Sequence, residues 1–478
     1  MSGKTTRWFV VLTVLVLLAG GAWWGWSAVQ ARREWAAFRP PTPDLKAWPA
    51  EFRSRIENAD AKIASWPPDA HALGELAQLY LANGFLKEAE TALRGAIRYE
   101  PNNPRWTHHL ARLLAGYGEL EAAVPLWRTT AELAPDYLPA RVKLADALLK
   151  TNQPDEAART FAAVLERDPK NPYALLGLAR LDVDSGRWSA ARQRLEAATV
   201  AAPEFSAAHS QLATVAERLG DTATAQLERD QATALGRFKD VPDPWTEELV
   251  AYCYDVYRLQ VIAATITATK GGAAALPPLE RALALAPQDA RTVRQLGRVY
   301  LDLKDYAKAR QMLEKAIQLD GTDPSPYLDL VEVFRAERNV DAAITMLTAG
   351  IQKCSESAGL HHELGLALLG AERLEEAVPH FQEARRREPG NMAAYEDLSR
   401  TLLRLGRPAE AEEVLRSALD QNDRAGPLLL LMARCQIALR NEPRAEEFIR
   451  RTREARASET TLSELRQEFR AQFGRVPR

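Results

Sequence analysis

The chain has 478 residues, with 62 lysines and arginines against 64 aspartates and glutamates. That length exceeds a single compact core, so several domains or an extended array is expected, and the near-neutral balance argues against a dedicated nucleic-acid binder, whose footprint is basic. The three cysteines, Cys253, Cys354 and Cys435, are far apart and form no CxxC, so they encode neither a zinc knuckle nor a haem attachment site and read as buried apolar thiols within helices.

Residues 1–34 read as a short tail and a membrane anchor. No charged residue occurs from Trp8 to Ala31, a stretch of about 36 Å as a helix against a hydrocarbon core of about 30 Å. Trp23, Trp24 and Trp26 cluster near its far end, where indole rings favour the headgroup zone. A cleaved secretory signal is the other reading. The apolar run is long for a signal, and Gly25-Trp26-Ser27 is a poor exit site, so an uncleaved single-pass anchor in the inner membrane is expected. Basic residues flank both ends, so charge alone does not orient it. A single N-terminal anchor more often exports the chain beyond it, which places the repeats in the periplasm. Residues 35–69 then hold a stiff spacer (Pro40, Pro41, Pro43) and a helix from Trp48 to Ser65 with Phe52, Ile56 and Ile63 on one side. That helix is expected to act as a degenerate half-repeat covering the first apolar face of the stack.

From residue 70 to 236 the chain repeats itself. Pro67, Pro101, Pro135, Pro169 and Pro203 stand thirty-four residues apart. Twelve positions before the last four stand Ala89, Ala123, Ala157 and Ala191, and eight before them Leu93, Trp127, Phe161 and Leu195. Within one unit, Leu73, Leu76, Ala77 and Tyr80 form a helical face, Asn83-Gly84 breaks it, and Ala89, Leu93, Ala96 and Ile97 form a second face that Pro101 ends. The unit is helix, turn, helix, stop. Gly84, Gly118, Asn152, Gly186 and Gly220 share the turn position, and no stretch alternates as a strand would.

At residues 237–255 the period fails, with sixteen residues inserted. Asp243-Pro244 reads as a helix start, with Leu249, Tyr252, Val256 and Leu259 on one face of the following helix and Tyr254, Tyr257 and Val261 on another. Two apolar faces suggest a wedge between two arrays; an aromatic ligand pocket is the other reading. Residues 256–453 re-enter the frame as a second array, for example at Leu364-Gly365, Leu368, Ala377, Phe381, Ala384 and Pro389, while Gly321 and Ser355 replace the terminal proline. Residues 454–478 hold a capping helix with Leu462, Leu465, Phe469 and Phe473 in one stripe and a capping box at Thr461 and Glu464.

This pattern resembles the tetratricopeptide repeat (TPR), a helix-hairpin family of this period, with about eleven repeats. The resemblance implies an all-α fold: a right-handed superhelical α-solenoid of helix-turn-helix repeats in two arrays, joined to one transmembrane helix. It also implies protein–protein binding along a concave groove lined by first helices. On this frame the groove positions hold His108, Arg112, Lys143, Asp146, Lys150, Arg180 and Asp184 in the first array. In the second they hold Arg294, Arg298, Arg400, Arg404 and Arg434. Arginine offers a planar fork to carboxylates and carbonyls, so an acidic or C-terminal peptide is the expected partner, with surface solubility as the plainer role for these side chains.

No Walker loop, GxGxxG, HExxH or GxSxG occurs, and the adjacent pairs His108-His109 and His361-His362 do not make an i, i+4 metal site. No enzyme, cofactor or metal is therefore expected. The expected function is a membrane-anchored, non-catalytic scaffold in bacterial cell-envelope assembly or secretion. The alternatives are a polysaccharide-export or polymer-binding accessory protein, or a regulatory subunit of an enzyme complex.

Overall fold

The structure, a computed structural model, describes residues 22–65, 69–235 and 240–477. Among the described residues every regular element is helical, and the chain divides into two compact units, Met1–Leu259 and Gln260–Arg478.

Unit 1 opens with α1 (22–37) and α2 (Ala50–Ala64). Five hairpins follow: α3 (Ala70–Asn83) with α4 (Leu86–Tyr99), α5 (Pro104–Gly116) with α6 (Leu120–Leu133), α7 (Leu138–Lys150) with α8 (Pro154–Arg167), α9 (Pro172–Asp184) with α10 (Trp188–Ala201), and α11 (Ser206–Arg218) with α12 (Thr222–Leu235). The unit ends in a one-turn helix, α13 (Pro244–Glu247), a 3-10 turn (Glu248–Tyr252) and the first residues of α14 (Val256–Lys270). Unit 2 holds the rest of α14 with α15 (Leu276–Leu285), then α16 (Ala290–Asp302) with α17 (Tyr306–Leu319), α18 (Ser325–Ala336) with α19 (Val340–Lys353), α20 (Ala358–Gly370) with α21 (Leu374–Arg387), α22 (Met392–Arg404) with α23 (Pro408–Leu419), and α24 (Gly426–Ala438) with α25 (Glu442–Glu454). It closes with α26 (Glu459–Phe473).

The small and large positions of the repeat meet where each hairpin crosses. Ala89, Ala123, Ala157, Ala191 and Ala225 in unit 1, and Ala309, Ala343, Ala377, Ala411 and Ala445 in unit 2, are all buried. So are the large residues four further on, from Leu93, Trp127, Phe161 and Leu195 to Leu313, Leu347, Phe381 and Leu415. A methyl group lets two helix axes approach, and the large neighbour fills the space beside it. The cap at α2 is apolar on the side that Phe52, Ile56 and Ile63 bury, and Trp35 of α1 donates its indole N–H to the Ile63 carbonyl at 2.7 Å.

Each turn is fixed by one left-handed residue. Gly84, Gly118, Asn152, Gly186 and Gly220 all have positive φ, as do Lys304, Arg338, Glu372, Gly406 and Arg440 at the same position of unit 2. The N–H of the next residue returns to a carbonyl five residues back, as in Phe85 to Tyr80 at 3.0 Å and Asn339 to Phe334 at 2.9 Å, which closes the helix end. Glycine accepts this conformation without strain, whereas a side chain costs about 1–2 kcal/mol there. Arg338, at φ 54°, is one such strained position. Arg338→Gly should therefore stabilise unit 2 by about 0.5–1 kcal/mol after the entropy glycine adds to the unfolded chain. Urea unfolding measures it, and an equal or lower midpoint would contradict this account of the turn.

Four expectations are corrected. The localisation comes first. Residues 8–21 of the expected anchor lie outside the described residues, and 22–31 belong to α1, which runs on through Arg32, Arg33 and Glu34. Among the described residues no helix is long and apolar enough to cross a membrane, so the single-pass inner-membrane assignment is unsupported.

The helix expected from Asp243 through Leu259 is broken: α13 has four residues, the 3-10 turn follows, and Cys253 is extended at φ −83°, ψ 129° before α14 begins. Tyr257 and Val261, expected on an apolar face, are exposed. Cys435 sits within α24 as expected, but Cys253 and Cys354 follow helix ends instead of lying inside helices; all three thiols are buried. At α26 the N-cap is Ser458, whose hydroxyl accepts from the Thr461 N–H, so the cap lies three residues before the expected one.

Candidate partner-binding groove

The first helices of unit 1 carry a continuous row of polar side chains, and the chain's own segment 240–254 lies along it. The segment runs against the order of the repeats, from α9 back to α2. Tyr173, at the start of α9, donates its hydroxyl to the Asp240 carbonyl at 3.1 Å. Lys143 of α7 holds the Asp240 carboxylate with both oxygens 2.6 Å away.

Asp243 is the centre. It is 6 % exposed and caps α13, accepting from the N–H and hydroxyl of Thr246 at 3.3 and 3.0 Å. His108 Nε2 lies 2.9 Å from one carboxylate oxygen, Arg112 donates to the same oxygen at 2.6 Å, and the Tyr137 hydroxyl donates to the other at 2.5 Å. Burial alone would raise the Asp243 pKa; the hydrogen bond with His108 and the charges of His108 and Arg112 overcome it and hold the carboxyl well below the usual range. Tyr137 is pushed far the other way, first by burial and then by its bond to Asp243.

Trp245 stacks flat on Tyr137, with ring centroids 3.6 Å apart and planes 6° apart, and its main-chain N–H donates to the Tyr137 hydroxyl at 3.1 Å. The His108 ring meets both edge-on, and the Arg105 guanidinium lies 5.5 Å from the Trp245 ring while pairing with Glu248. Further along, the Asn83 amide reads the main chain directly: its nitrogen donates to the Tyr252 carbonyl at 2.8 Å and its oxygen accepts the Tyr254 N–H at 2.6 Å. These two bonds take both backbone groups out of helical pairing, which is the physical reason the expected helix breaks there. Tyr254 ends the segment, buried against Phe52, with its hydroxyl 2.7 Å from Glu51. The segment thus lies along unit 1's first helices.

Of the expected groove residues, His108, Arg112 and Lys143 are brought together by this segment. Asp146, Lys150, Arg180 and Asp184 instead line an open cleft of about 410 Å³ on α7, α9 and α11, together with Leu149, Val183 and Gln211. Burial raises the Asp146 pKa against the nearby charges of Arg180, Lys143 and Lys150.

In unit 2 the expected arginines are engaged within the chain. Arg294 and Arg298 of α16 grip the buried Asp329 of α18 at 2.8 and 3.0 Å, Arg400 holds Glu396 and Asp397, Arg404 pairs with Glu372, and Arg434 of α24 reaches Glu464 and Glu468 of α26. Their forks are paired with acids of this chain. Among the described residues no group of three or more histidines, cysteines or acids is placed to hold a metal, and the His361–His380 contact, 3.2 Å between Nδ1 atoms, is a pair only. Reasoning from sequence missed Asn83, Arg105, Tyr137 and Tyr173 on the groove, and Asp240, Asp243 and Trp245 as the residues that fill it.

Stacked helix hairpins of fixed thirty-four-residue step, with a first-helix face that binds extended chain, define a helical-repeat interaction scaffold. Two tetratricopeptide repeat models match the chain, one over 114–168, 153–216, 300–353 and 402–468, the other over 75–137, 272–324, 328–391 and 362–428. The chain belongs to the tetratricopeptide repeat family. It is 31 % identical over 140 residues to "Cellulose synthase 1 operon protein C" of Komagataeibacter xylinus, covering 27 % of this chain and 10 % of that protein. It is 27 % identical over 141 residues to "Type IV pilus assembly protein PilF" of Pseudomonas aeruginosa, covering 29 % and 56 %. The chain spans only about a tenth of the length of the cellulose synthase relative. Yeast Tom70 aligns over 85 % of this chain and 95 % of its own at 15 % identity, with a TM-score of 0.33, which adds nothing to the sequence match.

Proposed function

We propose that this chain is a non-catalytic scaffold that gathers other proteins, and that unit 1 receives a partner's extended segment along its first helices. The observation that supports this is the open cleft of Asp146, Lys150, Arg180 and Asp184, which continues the row of side chains already holding chain at Asp240. Its mixed charges suit a polar or zwitterionic segment better than an apolar helix. The setting we favour is assembly of structures that the cell exports, since relatives named for pilus assembly and for a cellulose synthase operon share these repeats.

The test is photo-crosslinking in cells from a probe at position 180, with a control probe at Arg159 on α8, a second helix. A discrete partner crosslinked from 180, absent from 159, and lost when Lys150→Glu and Asp184→Lys are introduced together is the expected result. The same products from both probes would reject the groove.

A further inference from the structure

Segment 240–254 is held in a way that a simple connection does not require. A linker needs only to reach; this one is gripped by side chains from α2, α3, α5, α7 and α9, each matched to a particular feature of it. A buried carboxylate meets three donors, a flat ring meets a flat ring, and a second carboxylate, three residues upstream of the first, meets a lysine. An amide reads the main chain at both its donor and its acceptor. Such chemistry is indifferent to whether the segment belongs to the same chain.

We propose that segment 240–254 is a resident ligand of unit 1, and that the partner this groove takes is a protein segment of the same chemistry: an aspartate followed by proline and a flat aromatic residue, with a second acid three residues before. This rests on the scaffold reading and names its partner. The four features of Asp240, Asp243, Pro244 and Trp245 are the recognition code. Asp243 is satisfied only where His108, Arg112 and Tyr137 converge, which fixes register. Pro244 presets the turn that caps α13, and its missing N–H leaves no donor unpaired at the first helical position. Trp245 then lands on Tyr137, an aromatic pair that adds to the area it buries. Because the resident copy is tethered, it acts at an effective concentration in the millimolar range, so a partner must carry the full code to displace it. The groove is thereby closed to weak or partial matches.

The experiment uses the full chain and a fluorescent synthetic peptide with the sequence of residues 240–254. The chain carrying Asp243→Ala and Trp245→Ala together, whose own segment is loosened, should bind the peptide at least about tenfold more tightly than the unaltered chain. A peptide carrying the same two alanines should not bind, and adding Arg112→Glu to the loosened chain should abolish binding. Should the double variant fail to fold, Trp245→Ala alone removes only the stack on Tyr137 and carries the same comparison, with a gain of about threefold or more expected. Equal binding to loosened and unaltered chains, or binding that ignores Arg112→Glu, overturns the proposal. If the peptide fails while position 180 still crosslinks a discrete partner, the resident-ligand code falls and the scaffold stands; if the peptide binds as expected and 180 crosslinks nothing, the code stands and the partner reading at the cleft falls.

Discussion

Replacing Phe381 with alanine should lower the unfolding free energy of unit 2 by about 3–5 kcal/mol. The ring is 0 % exposed and sits in a core with Leu347, Leu364, Leu368, Ala377 and Leu398. It also fills the place where a side chain at Gly365 would be: a Cβ built there falls 2.6 Å from the ring, which no native contact tolerates. The pair is one unit of packing, small on α20 and large on α21. Gly365→Leu alone should therefore cost about 1–3 kcal/mol by overpacking. Made together with Phe381→Ala, the leucine has the vacated ring space to enter. The double variant should then be more stable than the sum of the two losses implies, by at least about 1 kcal/mol. Urea denaturation of the four proteins measures the coupling. Strict additivity would show that the two positions do not share one space. Since each hairpin touches mainly its neighbours, the loss should be felt in α19 and α22 and fade beyond them.

That same lattice explains why the fold was legible and the site only partly so. Crossing of two helices demands a small residue beside a large one at a fixed step, and Ala157 with Phe161 or Ala377 with Phe381 announces it from sequence alone. The turn was legible where Gly84 or Asn152 stands in it and hidden where Lys304, Arg338, Glu372 and Arg440 adopt the same positive φ. Side-chain chemistry did not restrict them; the hairpin around them did. On the groove, His108, Arg112 and Lys143 were visible as first-helix positions, but their acceptors lie 97 to 135 residues away on a segment with no repeat of its own.

Asp243 was read correctly as an N-cap from Pro244, a local signal. Nothing local encodes that its carboxylate also meets α5. The intrachain pairing of the unit 2 arginines went unread although a signal for it existed. Asp329 stands 35 residues after Arg294, and Glu468 stands 34 after Arg434, one repeat on and on the same face. An arginine in a solenoid should be read together with the residue one period away. The membrane expectation rested on hydropathy over 8–31, of which 8–21 lie outside the described residues, and among the described residues no helix is long and apolar enough to cross a membrane.

The second large effect is a loss of unit 1 stability on mild acidification, and it comes from His109. This side chain is 2 % exposed, its Nε2 has no hydrogen-bond partner, and its pKa is lowered to about 3. Burial is the main cause, followed by the neighbouring His108; Arg112 and Arg105 push the same way, and Asp243 opposes them. In the unfolded chain the imidazole takes up a proton near pH 6.5, whereas in the folded unit it stays neutral down to about pH 3. Between those limits the unfolded state binds the extra proton, so stability falls as pH falls, by about 1.4 kcal/mol per pH unit at full slope.

Asp243 acts in the same direction but in a lower window. Its carboxyl is held below the usual range, so its contribution is intact above about pH 4 and is lost only as pH falls further. The interval from about pH 6 to 4.5 lies above the Asp243 window; Asp146, whose pKa burial raises, works against the loss at its lower end and is the same in both proteins compared below, so their difference isolates the histidine. His109→Leu keeps the buried volume roughly, removes the orphaned nitrogen, and should flatten the stability curve across that interval while leaving neutral-pH stability equal or slightly higher. Urea midpoints at pH 7, 6, 5 and 4.5, read by the fluorescence of Trp106 and Trp127 in the same hairpin, compare the two proteins. If the unaltered chain loses no stability over this range, or the leucine variant loses as much, the proton is taken up elsewhere and burial of His109 does not govern the acid response.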